Sequence, residues 1–509
     1  METQALDNVR SLAFFTPELA LIGAILLVIV WDLLAKRPTA KIGGIVVISL
    51  AALGFSAGLS AWLLERDAAP QNLFYGLLAF DHFSNLFRIV FAFVTAAIVV
   101  FSVPETSRYA EKHGTNAIRD PGEFFTLLLV LALGMNLMAE SRNLLMIYLS
   151  LELVSVISFV MAGFKLNDGK SSEAALKYVI FGGVASGIML YGMSWIFGLT
   201  QSLNLGEIAA RVSALTQAQG KVPEVVFVGT ICMLAGFGYK ISAAPFHMWT
   251  PDVYEGAPTP VTAFLSVGPK AAGFAILIRF FSDALGANAT TMASTPWPIV
   301  AGCLAMATMT VGNLSALGQD NVKRMLAYSS VAHAGYMLLG FSVFSQAGIA
   351  SIVFYVVTYC LMNLGAFLVV MAVAEQSEGD ESIAAFRGLG RRAPITAIVM
   401  AVFLFSLTGL PPLAGFVGKF YIFSALIRAG GTWNWTVAVV GVLNSVVSLF
   451  YYARVVRAMY LEKGERTEPT EVRPVFGATS IVLAVPTLVL GIYWAPVYDF
   501  VARSLSMVR

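Results

Sequence analysis

"GYKISAAPFHMWTPDVYEG", residues 238–256, places Lys240 and Pro245 in a stretch whose flanks are apolar enough to cross a bilayer. A charge at bilayer depth costs roughly 2.5 to 10 kcal/mol depending on the scale, and proline removes a backbone donor that a helix uses. A helix that tolerates both is expected to break near "SAAPFH" and to release carbonyls into an enclosed polar interior. Irregular backbone at membrane depth persists only where protein or water satisfies it. The device recurs in "SLTGLPPLAGFVGKFYIF", residues 406–423, where Pro411 and Pro412 precede Lys419. Two interrupted helices, each with a lysine, in corresponding positions of two halves point to the ion path of a transporter.

The rest of the chain fits that frame. Of 509 residues, 58% are hydrophobic and 12% charged, and the mean hydropathy is +0.78; soluble domains carry about a quarter charged residues. Apolar runs long enough for a hydrocarbon core of about 30 Å recur near 16–35, 42–64, 80–103, 123–139, 142–163, 173–199, 222–248, 259–282, 295–318, 322–341, 346–374, 394–428, 432–460 and 474–500. The expected fold class is an all-α integral membrane protein with about 14 transmembrane helices and no soluble domain between them. "TPEL", residues 16–19, reads as a Thr N-cap, a Pro at the first helical position and a Glu in the first turn. "METQALDNVR" lacks a basic n-region and a small-residue cleavage site, so the first span is expected to be retained. Alternate loops carry unequal shares of Lys and Arg. The richer side includes Lys36, Arg37, Arg119, Lys323, Arg391 and Arg466 and the poorer one Arg66, Arg211 and Arg509, which puts both termini on the non-cytoplasmic side.

Several chemistries have no basis in the sequence. Cys232, Cys303 and Cys360 stand alone in apolar spans, without the spacing of a redox pair or a cluster-binding run, and are expected to be small core residues. "GFKLNDGKSS" is one residue too long between Gly163 and Gly169 for a phosphate-binding loop and follows no strand; it reads as a connection. Metal-ligand spacing and a nucleophile elbow are both lacking. His82 and His113 read as loop or span-end residues.

The basic residues inside spans are Arg88, Lys177, Lys240, Lys270, Arg279 and Lys419, and Glu152 in "MIYLSLELVSVISFV", residues 146–160, is the acid expected deepest. Tyr148, Glu152 and Ser155 share one helix face, as do Thr262, Ser266 and Lys270, and Ser329, His333 and Tyr336. Such stripes suit a hydrated path, although hydroxyls also pack helices in membranes. An enclosed ammonium sheds its proton more readily than an exposed one, whereas arginine stays charged. Lysine is therefore the residue for reversible proton carriage, and Arg88 and Arg279 are expected near span ends or in structural pairs. The bland reading of the lysines is a buried ion pair that only fixes helix register. The offset between Lys240 and Lys419 carries Glu152 to within two residues of His333, which is then either a second titrating group or a hydrogen-bonded packing histidine. His247, beside the break, serves gating or caps a freed carbonyl.

"YKISAAPFHMWTPDVYEGAPTPVTAFLSVGPKAAGFA" and "LTGLPPLAGFVGKFYIF" resemble the antiporter-like membrane subunits of respiratory complex I, NADH:quinone oxidoreductase, and the form "DVYEGAPTPVTAFLSVGPK" is most similar to the subunit N group. The related L subunits are longer by a lateral helix, and M subunits usually carry glutamate where Lys419 stands. The resemblance implies proton translocation coupled to quinone reduction elsewhere in the complex. It implies Glu152 and Lys240 as the input-side pair, Lys270 as the central relay, Lys419 as the terminal site and Lys177 as an assistant near the first pair; His333 and His247 remain secondary candidates. It also implies two inverted five-helix repeats, each with a broken helix. The organisation is then a three-helix segment at 1–110, a first repeat at 111–284, a second at 285–460 and a C-terminal helix at 461–509. FMN, iron–sulfur clusters and the quinone site would belong to partner subunits, with no cofactor and no redox chemistry in this chain. Its partners would be the other complex I membrane subunits, antiporter-like and small, together with lipids. Protons would be the substrate, nucleic acid would not be bound, and the setting would be a bacterial cell inner membrane. The alternatives are a monovalent cation/proton antiporter subunit and a membrane scaffold with buried ion pairs only.

Overall fold

Inside lipid a backbone must satisfy its polar groups within its own segment, and this chain does so almost entirely with helices. The computed structural model describes residues 5–66, 68–112, 118, 120–165, 167–285, 295–464 and 472–505, without the side chains of 107–112. His113, Arg119, Arg466 and Arg509 lie outside the described residues.

The helices are α1 (Thr16–Leu34), α2 (Pro38–Glu65), α3 (His82–Lys112), α4 (Pro121–Glu140), α5 (Leu144–Ala162), α6 (Gly169–Thr200), α7 (Leu205–Gln219), α8 (Glu224–Ile241), α9 (Thr250–Gly256) and α10 (Thr259–Phe280). There follow α11 (Trp297–Leu317), α12 (Val322–Val343), α13 (Gln346–Gln376), α14 (Pro394–Thr408), α15 (Ala414–Ala429), α16 (Gly431–Leu461), α17 (Pro474–Ile492) and α18 (Ala495–Leu505). Among the described residues, twelve helices are long and apolar enough to cross a membrane, and α14 is a shorter apolar one. Two expected spans are missing from the twelve for physical reasons. α12 is 22 residues long but carries Lys323, Arg324, Ser329, Ser330 and His333, which lower its mean hydropathy. The expected span 394–428 is split into α14 and α15 at Gly409–Leu413.

Smaller departures follow local chemistry. The hairpin β1 (Gln71–Leu73) and β2 (Leu78–Phe80) pairs Gln71 with Phe80 and Leu73 with Leu78, and buries Leu73, Leu78 and Phe80 beneath Leu6, Phe14 and Phe15. α7 falls between the expected spans 173–199 and 222–248; it presents Leu205, Ile208, Ala209, Val212 and Thr216 to the interior at helical spacing, and Asn204 caps it by accepting from the Gly206 and Glu207 amides. α1 begins one residue earlier than "TPEL" implies. Phe15 is its N-cap, and Thr16 donates its hydroxyl to the Ala13 carbonyl at 2.8 Å rather than capping. The last expected span divides into α17 and α18. Cys360 is buried as expected of a core residue, while Cys303 is exposed.

The chain forms two compact units. The first comprises Met1–Ile241, Gly268–Pro296 and Arg503–Arg509, and the second Ser242–Val267 and Trp297–Ala502. In the first, α6 packs on α8 and α3 packs on α2, α4 and β2. In the second, α12 packs on α11, α13, α15 and α16. α11 and α12 approach so closely that a Cβ on Gly312 would lie 2.6 Å from the Ala332 nitrogen, and one on Gly335 would lie 2.6 Å from the Met309 nitrogen.

Candidate functional site: enclosed lysines at two helix breaks

In the first unit, α8 runs to Ile241 and carries Lys240 in its last turn. The side chain is 1% exposed. Its Nζ donates to Ser155 Oγ of α5 at 3.0 Å, and Ser155 in turn donates to the Leu151 carbonyl at 2.8 Å, so the serine is an acceptor for the lysine. Gly273 on α10 makes room for the lysine stem: a Cβ there would lie 3.4 Å from Lys240 Cγ. The stem therefore lies against the helix that carries Lys270, which is 3% exposed. Glu152, one turn before Ser155, acts on Lys240 through space, but its Oε1 is enclosed without a hydrogen bond. Lys240 is thus held by a neutral hydroxyl, and the carboxylate stands off.

After Ile241 the backbone leaves the helix, with Ser242 at φ +61 and a cis bond between Ala244 and Pro245. Within the second unit, the Ala244 amide donates to Thr308 Oγ1 at 3.0 Å, and the carbonyl of half-buried His247 accepts from the Thr250 amide at 2.9 Å as α9 begins. The break near "SAAPFH" is therefore present. Arg324 Nη1 on α12 donates to Asp252 Oδ1 and Glu255 Oε2, both at 2.7 Å, and Lys323 Nζ donates to the Ala257 carbonyl at 2.9 Å and to Glu381 Oε1 at 3.1 Å. The short α9 is clamped to the start of α12.

The second break gives Lys419 its place. α14 ends at Gly409, whose φ of +91 and ψ of 41 lie in the left-handed region. The final carbonyls of α14 then face Lys419: its Nζ donates to the Leu407 carbonyl at 3.2 Å, to the Thr408 carbonyl at 2.8 Å and to Ser445 Oγ at 3.1 Å, and lies 4.2 Å from the Tyr336 ring centroid. Helix C-terminal carbonyls are the negative end of the macrodipole and suit an ammonium. Lys419 is 4% exposed.

His333 lies between two tyrosines, with Nδ1 2.7 Å from the Tyr355 hydroxyl and Nε2 3.2 Å from the Tyr452 hydroxyl; Tyr452 also bonds Ser329. Asn313 Nδ2 donates to the Tyr336 hydroxyl at 3.3 Å and to Asn444 Oδ1 at 3.1 Å, and the Tyr451 hydroxyl donates to Asn313 Oδ1 at 3.0 Å. The third polar stripe is enclosed, and α12 is bonded through this network to three other helices, α11, α13 and α16. Its partners Asn313, Tyr355, Asn444 and Tyr452 were not singled out from the sequence, although an asparagine in the middle of an apolar span is a usable signal.

Lys177 does not enter the enclosed set. It is 36% exposed beside Glu173, at 2.7 Å and four residues away on α6. Nor is Glu152 the most enclosed acid: Glu18 and Glu140 are wholly buried. Arg88 Nε donates to Glu18 Oε1 at 2.8 Å and to Glu140 Oε1 at 2.9 Å. Arg279 donates to Asp81 through both terminal nitrogens, at 2.6 and 3.0 Å, and Arg142 Nε lies 3.0 Å from Asp283. Sequence reading missed these acids because each belongs to a helix end, where a carboxylate is ordinary; only the fold brings them onto the arginines. Among the described residues no group of three His, Cys, Asp or Glu side chains is placed to hold a metal ion.

The family described as "NADH:quinone oxidoreductase/Mrp antiporter, TM" matches residues 141–447, a region that holds both breaks and Lys240, Lys270 and Lys419. The chain is 73% identical to "NADH-quinone oxidoreductase subunit N 2" of Sorangium cellulosum, covering all of both proteins. It is 46% identical to "NADH-quinone oxidoreductase subunit N" of an Anaeromyxobacter species, covering 99% of this chain and 98% of that one. Among solved structures, a chain of respiratory complex I from Thermus thermophilus with bound aureothin superposes with a TM-score of 0.76 at 31% identity, over 96% of this chain and 99% of that one. A chain of the Mrp complex from a Dietzia species, at 19% identity and a TM-score of 0.81 over 97% of each, shares the fold. The chain belongs to the family of antiporter-like membrane subunits of NADH:quinone oxidoreductase, on its subunit N branch.

Proposed function

We propose that this chain moves protons across an energy-conserving bacterial membrane as subunit N of NADH:quinone oxidoreductase, with Lys240, Lys270 and Lys419 changing protonation in turn. Quinone reduction in partner subunits, which carry the FMN, the iron–sulfur clusters and the quinone site, drives the cycle; this chain acts as a translocase without redox chemistry. One observation supports the reading above the others: Lys240 and Lys419 each sit at an interrupted helix, enclosed, and are hydrogen-bonded by neutral oxygens. An ammonium locked to a carboxylate resists deprotonation by the full strength of the ion pair, whereas one held by a hydroxyl or carbonyls does not.

In this reading Glu152 is the movable term. Approach of its carboxylate to Lys240 favours the ammonium and withdrawal favours the amine, so opening and closing the gap loads and unloads the proton. Moving one charge against 100 mV takes about 2.3 kcal/mol, within what separating one partly desolvated pair supplies. Lys270 relays and Lys419 is the terminal site, while His333, His247 and Lys177 are secondary. The segments 111–284 and 285–460 are two inverted five-helix repeats, each with a broken helix, and both termini face away from the cytoplasm.

The test is Lys240→Met in the assembled complex, with NADH oxidation and proton movement measured together in inverted membrane vesicles. Proton yield per electron falls if the reading holds. An unchanged yield at normal assembly rejects it, and a yield that depends on sodium in the wild type assigns the path to a monovalent cation antiporter instead.

A further inference from the structure

A second set of charges, separate from the lysines, has an imbalance of its own. Glu18 of α1, Arg88 of α3 and Glu140 of α4 are all 0% exposed. Arg88 serves Glu18 twice, through Nε at 2.8 Å and Nη2 at 2.9 Å, and turns Nη1 to Asn85 Oδ1 at 2.9 Å. Asn136 Nδ2 adds a bond to Glu18 Oε1 at 3.0 Å. Both oxygens of Glu18 are therefore satisfied by donors. Glu140 receives one bond, on Oε1 from the shared Arg88 Nε at 2.9 Å, and its Oε2 is buried without a partner. The two carboxyl groups share one N–H, since Arg88 Nε reaches Glu18 Oε1 at 2.8 Å and Glu140 Oε1 at 2.9 Å.

Two carboxylates against one guanidinium leave a net negative charge where no solvent reaches. The neighbouring cluster of the same unit shows the contrast, since Asp81 and Asp283 are matched there by Arg279 and Arg142. The other charges around Glu140 do not restore the balance: Arg279 of α10 acts on it through space but is bound to Asp81, α2 has charges only at Lys41 and Glu65 near its ends, and α5 contributes Glu152. Two like charges so close cannot both be ionised in a buried site, and a shared proton is how such carboxyl pairs are made neutral.

We propose that Glu18, Arg88 and Glu140 form a proton-binding site, with Glu140 as the carboxyl that holds the proton. Glu18 has the donors of an ionised carboxylate, whereas Glu140 has the free oxygen on which a hydrogen resides or from which it is given to Glu18. With that proton the triad is neutral. The site lies on α1, α3 and α4, apart from the helices that carry Lys240, Lys270 and Lys419, so its occupancy is independent of the lysine reading.

The test compares wild type, Glu140→Gln and the double variant Glu18→Gln with Glu140→Gln, all in the assembled complex. Glutamine reproduces the shape and neutrality of a protonated glutamate. Glu140→Gln is therefore expected to assemble at the wild-type level, while the infrared difference spectrum against wild type at neutral pH shows loss of one protonated-carboxyl C=O band that is sensitive to deuterium exchange. The double variant strands a buried guanidinium and is expected to give at least about tenfold less assembled complex. An unchanged carboxyl band in Glu140→Gln overturns the proposal, and so does a single variant that assembles as poorly as the double one.

Discussion

Gly409→Ala tests the placement of Lys419 by the helix break, and Gly220→Ala is its control. Both glycines end a helix in the left-handed region, at φ +91 and ψ 41 for Gly409 and φ +70 and ψ 0 for Gly220. Alanine there costs about 1–2 kcal/mol in either place, roughly 5–30-fold in the folded-to-unfolded ratio. Beyond that the two sites differ. A Cβ at Gly220 meets nothing within 4 Å, whereas one at Gly409 lies 2.9 Å from Lys419 Cδ. Carbon atoms pack at about 3.5–4.0 Å, so the lysine methylene must move by roughly 0.6–1.1 Å, and a shift of that size carries the ammonium out of reach of at least one of the acceptors it holds at 2.8, 3.1 and 3.2 Å. Each such charge-assisted bond is worth about 1.5–3 kcal/mol. Assembled complex is quantified on native gels, and proton yield per electron is measured in inverted vesicles and normalised to it. Gly220→Ala is expected to lower assembly slightly and leave the yield intact; Gly409→Ala is expected to lower both. A wild-type yield per assembled complex in Gly409→Ala would refute the claim that the carbonyl seat of Lys419 matters to transport.

Two further outcomes follow from single side chains. Asp81, just ahead of α3, is pushed up by burial but brought down from 3.8 to about 2 by Arg279, the Ser84 amide and Arg142 together; a carboxyl lowered on folding contributes stability that is complete above the unfolded value and lost as pH falls through about 2, here about 2 kcal/mol. Asp81→Asn should lose that much at neutral pH and flatten the stability profile between about pH 4 and 2 in acid unfolding followed by circular dichroism. Ser155→Ala removes the hydrogen bond of Lys240 Nζ, worth about 1.5–3 kcal/mol, and is expected to lower proton yield per electron at near-normal assembly; a wild-type yield would show that Ser155 does not position the lysine.

The frame of this molecule was legible because its signals are local. Proline beside lysine in an apolar run announces a break, and both breaks stand where "SAAPFH" and "LTGLPPL" put them. The partners at the breaks were less legible, since they are supplied by folding. Lys240, which the resemblance pairs with Glu152, has its Nζ on the hydroxyl of Ser155 one turn along the same helix face. Lys419, with no acid in view, finds the carbonyls that its own break sets free. Glu18 looked like a first-turn acid serving its helix, and becomes a ligand of Arg88 seventy residues on. The hairpin at 71–80 was hidden because three-residue strands have too few positions to show an alternation.

The reciprocal glycines of α11 and α12 have a mechanical consequence. With Gly312 against the Ala332 amide and Gly335 against the Met309 amide, the two backbones touch, and sliding one helix past the other would drive side chains into main chain at both points. The pair is interlocked like two dovetailed beams. Rotation of the imidazole, and of the Tyr355 and Tyr452 hydroxyls it meets, rearranges the surroundings of His333 while leaving both of those backbones in place.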